Sequence, residues 1–149
     1  MKKYIIFAYV VFLFSYVSAD DVETHQEKQN TAVVNQAQAN NNFGLIYLKQ
    51  ENYERAIDFF TRSIGLDPNY ALVYNNRGVA YYSLGKYQEA LEDYTRAIEL
   101  RPDLSNAFNN RGILYAALGS LEEALDDFSR AVELDPSSKR AITNRAKLY

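Results

Sequence analysis

The runs Tyr74-Asn75-Asn76-Arg77 and Phe108-Asn109-Asn110-Arg111 each place two adjacent amides and a guanidinium together, 34 residues apart. A primary amide carries two N–H donors and one carbonyl acceptor, so it can pair with a peptide bond whatever side chains that bond carries. This is recognition chemistry rather than bond-breaking chemistry. A second dense group comprises the carboxylates Glu92, Asp93, Glu122, Glu123, Asp126 and Asp127, which invites a metal site or an acid–base pair. Basic residues stand four positions on, giving Glu92–Arg96 and Asp126–Arg130, and the better reading is solvated faces with i,i+4 pairs. His25 lies between Glu23 and Glu27 in a polar segment and is assigned no role.

Composition narrows the chemistry further. The 149 residues include no Cys and one His, which excludes disulfides, thiolate nucleophiles and Cys/His zinc sites. No glycine-rich phosphate loop, nucleophile elbow or metal-ligand cluster occurs, so no catalytic residue, cofactor or metal is assigned. A net charge of −3, without a basic patch interleaved with aromatics, argues against nucleic acid as a partner.

The elements that must position the amides begin after a distinct leader. "MKKYIIFAYVVFLFSYVSAD" has Lys2 and Lys3, an apolar run from Ile5 to Val17, and small residues before Ala19. Residues 1–19 are therefore expected to be a secretory signal peptide. The alternative is an uncleaved N-terminal membrane anchor, but a span needs about 20 apolar residues and this run is shorter. Cleavage near Ala19 would give an exported protein, periplasmic or secreted, with no stable membrane insertion and no Cys to carry a lipid. It leaves 14 basic and 19 acidic residues, a net charge of −5. Residues 20–36 are polar and read as a tether or a helical lead-in.

From residue 37 the chain repeats itself. Units 37–70, 71–104 and 105–138 align at a shift of 34, and a partial unit, 139–149, follows. The second and third share 16 identical positions and the first and second share 12, more than chance gives. Recurring columns are Gly44, Gly78 and Gly112; Tyr47, Tyr81 and Tyr115; Ala56, Ala90 and Ala124; Phe60, Tyr94 and Phe128; Pro68, Pro102 and Pro136. Within a unit, Tyr74, Gly78, Tyr81 and Leu84 follow helical spacing. "LGK" breaks it, and Tyr87 to Leu100 resumes it through Ala90, Leu91, Tyr94, Ala97 and Ile98. Each unit is thus expected to be two antiparallel helices, with Gly78 and Ala90 small where the helices approach and Pro102 stopping the second. One pair cannot bury its apolar face alone, so the units must stack. Residues 139–149 supply one more helix, expected to cap the last face; the alternative is that its basic residues Lys139, Arg140, Arg145 and Lys147 form a docking patch.

These columns resemble the tetratricopeptide repeat family, over roughly residues 37–149. The resemblance implies an all-α, right-handed superhelical array of antiparallel helix pairs, whose first helices line a concave face. It also implies a non-catalytic protein–protein interaction module, here an exported adaptor or assembly factor, with a protein or peptide partner. The asparagines continue as two columns: Asn41, Asn75 and Asn109, then Asn42, Asn76, Asn110 and Asn144. In the family such asparagines can form a ladder along an extended peptide. The competing reading is that they bond only to neighbouring loops or cap helix ends. An aliphatic column, Leu45, Val79 and Ile113, lies one turn on, with Leu48, Tyr82 and Ala116 beyond it; if these share the concave face, part of the groove is apolar. Some relatives clamp a chaperone's C-terminal carboxylate with lysines, an arginine and asparagines. Here Asn76 matches one clamp position, but Asn41, Leu45, Asn106 and Asn110 replace the rest, which argues against that ligand. The alternative function is structural: self-association through the array ends or the Tyr-rich surface, with an empty groove.

Two further columns change together. Phe43 and Phe59 in the first unit become Arg77 and Asp93, then Arg111 and Asp127. Each pair is expected to touch between the two helices of its unit. The alternative is that the arginines face the groove and attract an acidic ligand.

Overall fold

The computed structural model describes residues 19–148; the expected signal segment, Ala19 apart, lies outside them, as does Tyr149. Seven helices account for most of the described chain: α1 (Ala19–Lys49), α2 (Tyr53–Leu66), α3 (Ala71–Ser83), α4 (Tyr87–Leu100), α5 (Ser105–Leu118), α6 (Leu121–Leu134) and α7 (Lys139–Ala146). The residues up to Asn35 and those from Gln36 onward form two compact units. In the first, the polar segment is helical rather than an unstructured tether. Its backbone is supported by local bonds one turn apart, Gln26 Nε2 to Asn30 Oδ1 at 3.3 Å and Thr31 Oγ1 to the Glu27 carbonyl at 2.8 Å.

In the second unit, helix pairs α1/α2, α3/α4 and α5/α6 follow one another, the first joined by the Phe43–Phe59 and Gly44–Phe60 contacts, and α7 packs against α5 and α6. Turns between paired helices need a left-handed residue. Gly85 (φ 74°) and Gly119 (φ 83°) supply it without a steric penalty, whereas the first pair uses Glu51 (φ 58°) in the same column. Second helices end at Asp67, Arg101 and Asp135, each extended and each followed by Pro, as the proline ring demands of its predecessor.

Paired helices touch through the glycine column. A Cβ on Gly78 would sit 2.7 Å from the Tyr94 ring, and one on Gly112 would sit 2.8 Å from Phe128, so these faces close on bare backbone. Stacking uses a different face of the first helices. Val73 and Ala80 are fully buried with Ala56 and Phe60 of the preceding pair, and Leu114 with Ala90 and Tyr94. The first helices are buried on two sides, which the alignment of Tyr74, Gly78 and Tyr81 alone did not indicate.

Polar bonds complete the packing. Ser63 Oγ donates to the Ala37 carbonyl at 2.7 Å, while in the third pair Ser105 Oγ donates to the Ala131 carbonyl at 2.9 Å. The serine changes helix but the bridge stays. On the solvated faces an i,i+4 pair joins Asp58 to Arg62 at 2.8 Å, but the expected Glu92–Arg96 and Asp126–Arg130 pairs do not form. Arg96 turns to Glu99 and Arg130 to Glu133, each at 3.0 Å, and the Glu92 carboxylate instead accepts from Gln88 Nε2.

Candidate functional site

The two asparagine columns lie on α1, α3, α5 and α7, and the structure joins them to each other. Asn76 Nδ2 donates to Asn41 Oδ1 at 3.0 Å, Asn110 to Asn75 at 2.9 Å, and Asn144 to Asn109 at 3.0 Å. Each bond spans 35 residues, from the second column of one unit to the first column of the unit before. The acceptors Asn41, Asn75 and Asn109 are buried, and the donors Asn76, Asn110 and Asn144 are half-buried. These amides therefore answer neither loops nor helix ends. They tie successive first helices together, which explains weak helix formers in mid-helix: each bond satisfies a group that burial would otherwise leave unpaired. A donor amide spends one N–H on this tie and keeps a second N–H and its carbonyl oxygen. Asn76 Oδ1 also accepts from Asn75 Nδ2, at a long 3.4 Å, whereas the buried Asn109 Nδ2 has no partner among the described residues. Asn42 is exposed, with no hydrogen bond of its own side chain among the described residues.

The aliphatic columns divide. Val79 and Tyr82 pack against the cluster of Ala90, Tyr94 and Leu114, and the Tyr82 ring lies 5.6 Å from Tyr87, so they are partly core. Leu45 is exposed. Ile113 and Ala116 open instead into a cavity of about 250 Å³, lined also by Phe128, Asn144, Lys147 and Leu148. Here the second amide column and both aliphatic columns meet on one surface. Phe128, Lys147 and Leu148 escaped the sequence reading. The first belongs to the repeat's core column and the other two to a segment read as a cap or, alternatively, a basic docking patch.

The arginines are committed elsewhere. Arg77 Nε and Nη2 donate to both Asp93 oxygens at 2.8 Å, and Nη1 donates to Thr61 of the preceding pair at 3.0 Å. Arg111 repeats this with Asp127 at 2.8 and 2.9 Å and with Thr95 at 3.2 Å. In the first pair, Phe43 and Phe59 touch with ring centroids 5.4 Å apart. The inter-helix pairing is thus present in all three units, and the arginines do not face an acidic ligand. Burial pushes the Asp93 carboxyl above its ordinary value despite the Arg77 bonds, so the pair works against substantial desolvation. For Arg111 the Asp127 bond prevails over burial and holds the guanidinium above its ordinary value.

Sequence profiles of the tetratricopeptide repeat match residues 71–104 and 105–138, and a further repeat profile of the same kind matches residues 44–85. Together they span more than half of the chain. The chain belongs to the tetratricopeptide repeat family. Solved structures agree. The second such domain of human RPAP3, in complex with the HSP70 peptide SGPTIEEVD, is 41% identical at a TM-score of 0.71, the match covering 76% of this chain and 94% of that one. The first domain of Spaghetti (RPAP3), bound to the HSP90 peptide SRMEEVD, is 33% identical at 0.73, covering 76% and 90%. The Arabidopsis OM64 domain is 28% identical at 0.75, covering 78% and 96%. No curated protein sequence matches the chain. Tetratricopeptide domains are in general protein-interaction modules, and the array here is a helical solenoid of that kind. Among the described residues no group of carboxylates and His could hold a metal ion, and no helix is long and apolar enough to cross a membrane.

Proposed function

We propose that this tetratricopeptide array binds a peptide segment of a partner protein along the first helices, as an exported adaptor or assembly factor. The observation that carries the reading is the cavity in which Ile113, Ala116 and Leu148 stand beside Asn144, so that an apolar side chain and its backbone amide meet suitable partners together. The RPAP3 domains hold acidic tails ending in EEVD. This chain keeps the amide Asn76 but has Asn41, Leu45, Asn106 and Asn110 at the remaining clamp positions, and Asn41 is buried beneath Asn76. Its ligand is accordingly a neutral, partly apolar extended segment, held by main-chain bonds and one or two aliphatic anchors. Export rests on Lys2, Lys3 and the apolar run before Ala19.

Replacing Asn76 or Asn110 would also unfasten neighbouring helices, so the site is better tested at Ile113. A peptide library is captured on the chain from Asp20 to Tyr149 and on its Ile113→Gln form, both checked for equal helicity. Peptides retained by the first, lost by the second and indifferent to EEVD competitors support the reading. Capture unchanged by Ile113→Gln, or selection of EEVD tails, refutes it. Sedimentation of the free chain across concentration tests the structural alternative, for which self-association without ligand is expected.

A further inference from the structure

We propose that the open side of α7 docks one acidic amphipathic helix from a partner protein, through a carboxylate that pairs with Arg145. Asn144, Lys147 and Leu148 of this segment also line the peptide cavity, but the docking face is defined by Arg145, Ile142 and Ala146, which do not, and it does not depend on the peptide reading. Helix α7 sits where the first helix of a fourth pair would sit. Ala141 is fully buried, as Ala107 is, and Asn144 bonds to Asn109 as Asn110 bonds to Asn75. Arg145 therefore stands in the column of Arg77 and Arg111.

Those two arginines each occupy a socket with two walls: a hydroxyl from the preceding second helix and an aspartate from their own. For Arg145 a hydroxyl stands at the equivalent position, since Ser129 continues the column of Thr61 and Thr95, although among the described residues Arg145 forms no hydrogen bond with it. The carboxylate wall is absent: Arg145 forms no ion pair among the described residues. Helix α7, KRAITNRA, contains no acidic residue, and Lys139, Arg140 and Lys147 add to its positive charge. The apolar part of the face is open as well. Ile142, in the column of Tyr74 and Phe108, is 40% exposed, and Ala146, in the column of the buried Gly78 and Gly112, is exposed.

The docked helix can be described from the pairs that are complete. Helices α4 and α6 present Ala90-Leu91-Glu92-Asp93-Tyr94 and Ala124-Leu125-Asp126-Asp127-Phe128, a small residue three positions before the aspartate. Their aromatic ring lies on the glycine that α7 lacks. Since a Cβ at Gly78 would come within 2.7 Å of that ring, Ala146 calls for a smaller aliphatic residue after the aspartate. The motif is Ala-x-x-Asp followed by Leu, Ile or Val. No segment of this chain carries it, because both of its Ala-x-x-Asp segments in second helices continue with an aromatic, so a second copy does not satisfy the socket.

The probe is a stapled, fluorescent peptide with the sequence of Leu121–Leu134 carrying Phe128→Leu, titrated into the full chain by anisotropy. Saturable binding is expected, weakened about tenfold or more when the peptide carries Asp127→Asn or the chain carries Arg145→Gln, and weakened by salt. The peptide that retains Phe128 is expected to bind less tightly. Arg145→Lys should recover only part of the affinity, since a lysine cannot bind bidentately. No binding at millimolar peptide, or binding indifferent to both Arg145→Gln and Asp127→Asn, would overturn the proposal.

Discussion

Removal of the Asp93 carboxylate separates the competing accounts of the Arg77 column. Asp93→Ala strands a guanidinium whose side chain is 17% exposed and which loses two bonds of 2.8 Å, keeping the Thr61 hydrogen bond and the Tyr74 and Tyr81 rings but no counter-charge. A buried charge left unpaired in this way costs about 3–5 kcal/mol. For a domain of this size that corresponds to a fall of roughly 10–20 °C in Tm. The pair itself is a different quantity, because burial already pushes the Asp93 carboxyl up and consumes much of what the bonds return. The first unit shows what an apolar pair does in the same place: Phe59 stacks on Tyr47 at 5.3 Å and 11° and touches Phe43. Tyr81 occupies the equivalent column and already lies 5.7 Å from the Arg77 guanidinium. Arg77→Phe/Asp93→Phe should therefore fold with a stability within about 1 kcal/mol of the parent, or above it. Urea unfolding followed by far-UV circular dichroism on the parent, both single variants and the double variant closes the cycle. A loss below about 1 kcal/mol for Asp93→Ala, or a double variant as weak as the single, refutes the argument.

The same pair sets a pH dependence. Its native Asp93 value is raised, so the folded chain holds that proton more tightly than the unfolded one, and stability from this group falls as pH rises from about 4 to the raised value. Subtraction of the double variant's pH profile from the parent's should leave that downward slope, and an upward one would contradict it. Gly78→Ala should cost about 1–3 kcal/mol, because its Cβ would meet the Tyr94 ring at 2.7 Å; adding Tyr94→Leu should recover part of the loss in urea unfolding, and a cost unaffected by Tyr94→Leu would place the strain elsewhere. Glu51→Gly should raise the unfolding free energy by up to about 1 kcal/mol, read as a higher urea midpoint, since it restores the residue that Gly85 and Gly119 supply at the same left-handed turn; a lower midpoint would show that the turn is not strained.

The repeat made the architecture legible because its period is set by covalent spacing: glycine against aromatic, alanine at the crossing and proline at the stop all fall at fixed offsets. The Phe43–Phe59 and Arg77–Asp93 substitutions were readable for the same reason, since partners within one unit change together. What remained hidden crosses from one unit to the next. Thr61 and Thr95 complete the arginine sockets from the preceding pair, and Val73, Ala80 and Leu114 are buried there. The Asn bonds run at a spacing of 35, one residue off the period, so two columns read side by side are in fact donor and acceptor. Residues 20–36 were ambiguous because a solvated helix leaves no apolar stripe in the sequence.

This arrangement limits where a ligand can act. Each half-buried asparagine has one N–H fixed to the unit before it, so the amides along the array are held at the spacing of the helices, and their free groups cannot swing independently to suit a ligand. On the binding mode proposed above, a peptide that bonds to two of them must match that spacing, and discrimination would then fall to the apolar contacts at Ile113, Ala116 and Leu148. It follows that Ile113→Val should alter which peptides bind while leaving the main-chain contribution intact. Asn110→Ala should weaken all of them together and also lower stability by about 1–3 kcal/mol, because Asn75 Oδ1 loses its donor. Equal selectivity in the parent and the Ile113→Val form across a peptide panel would show that the amides, rather than the aliphatic column, choose the ligand.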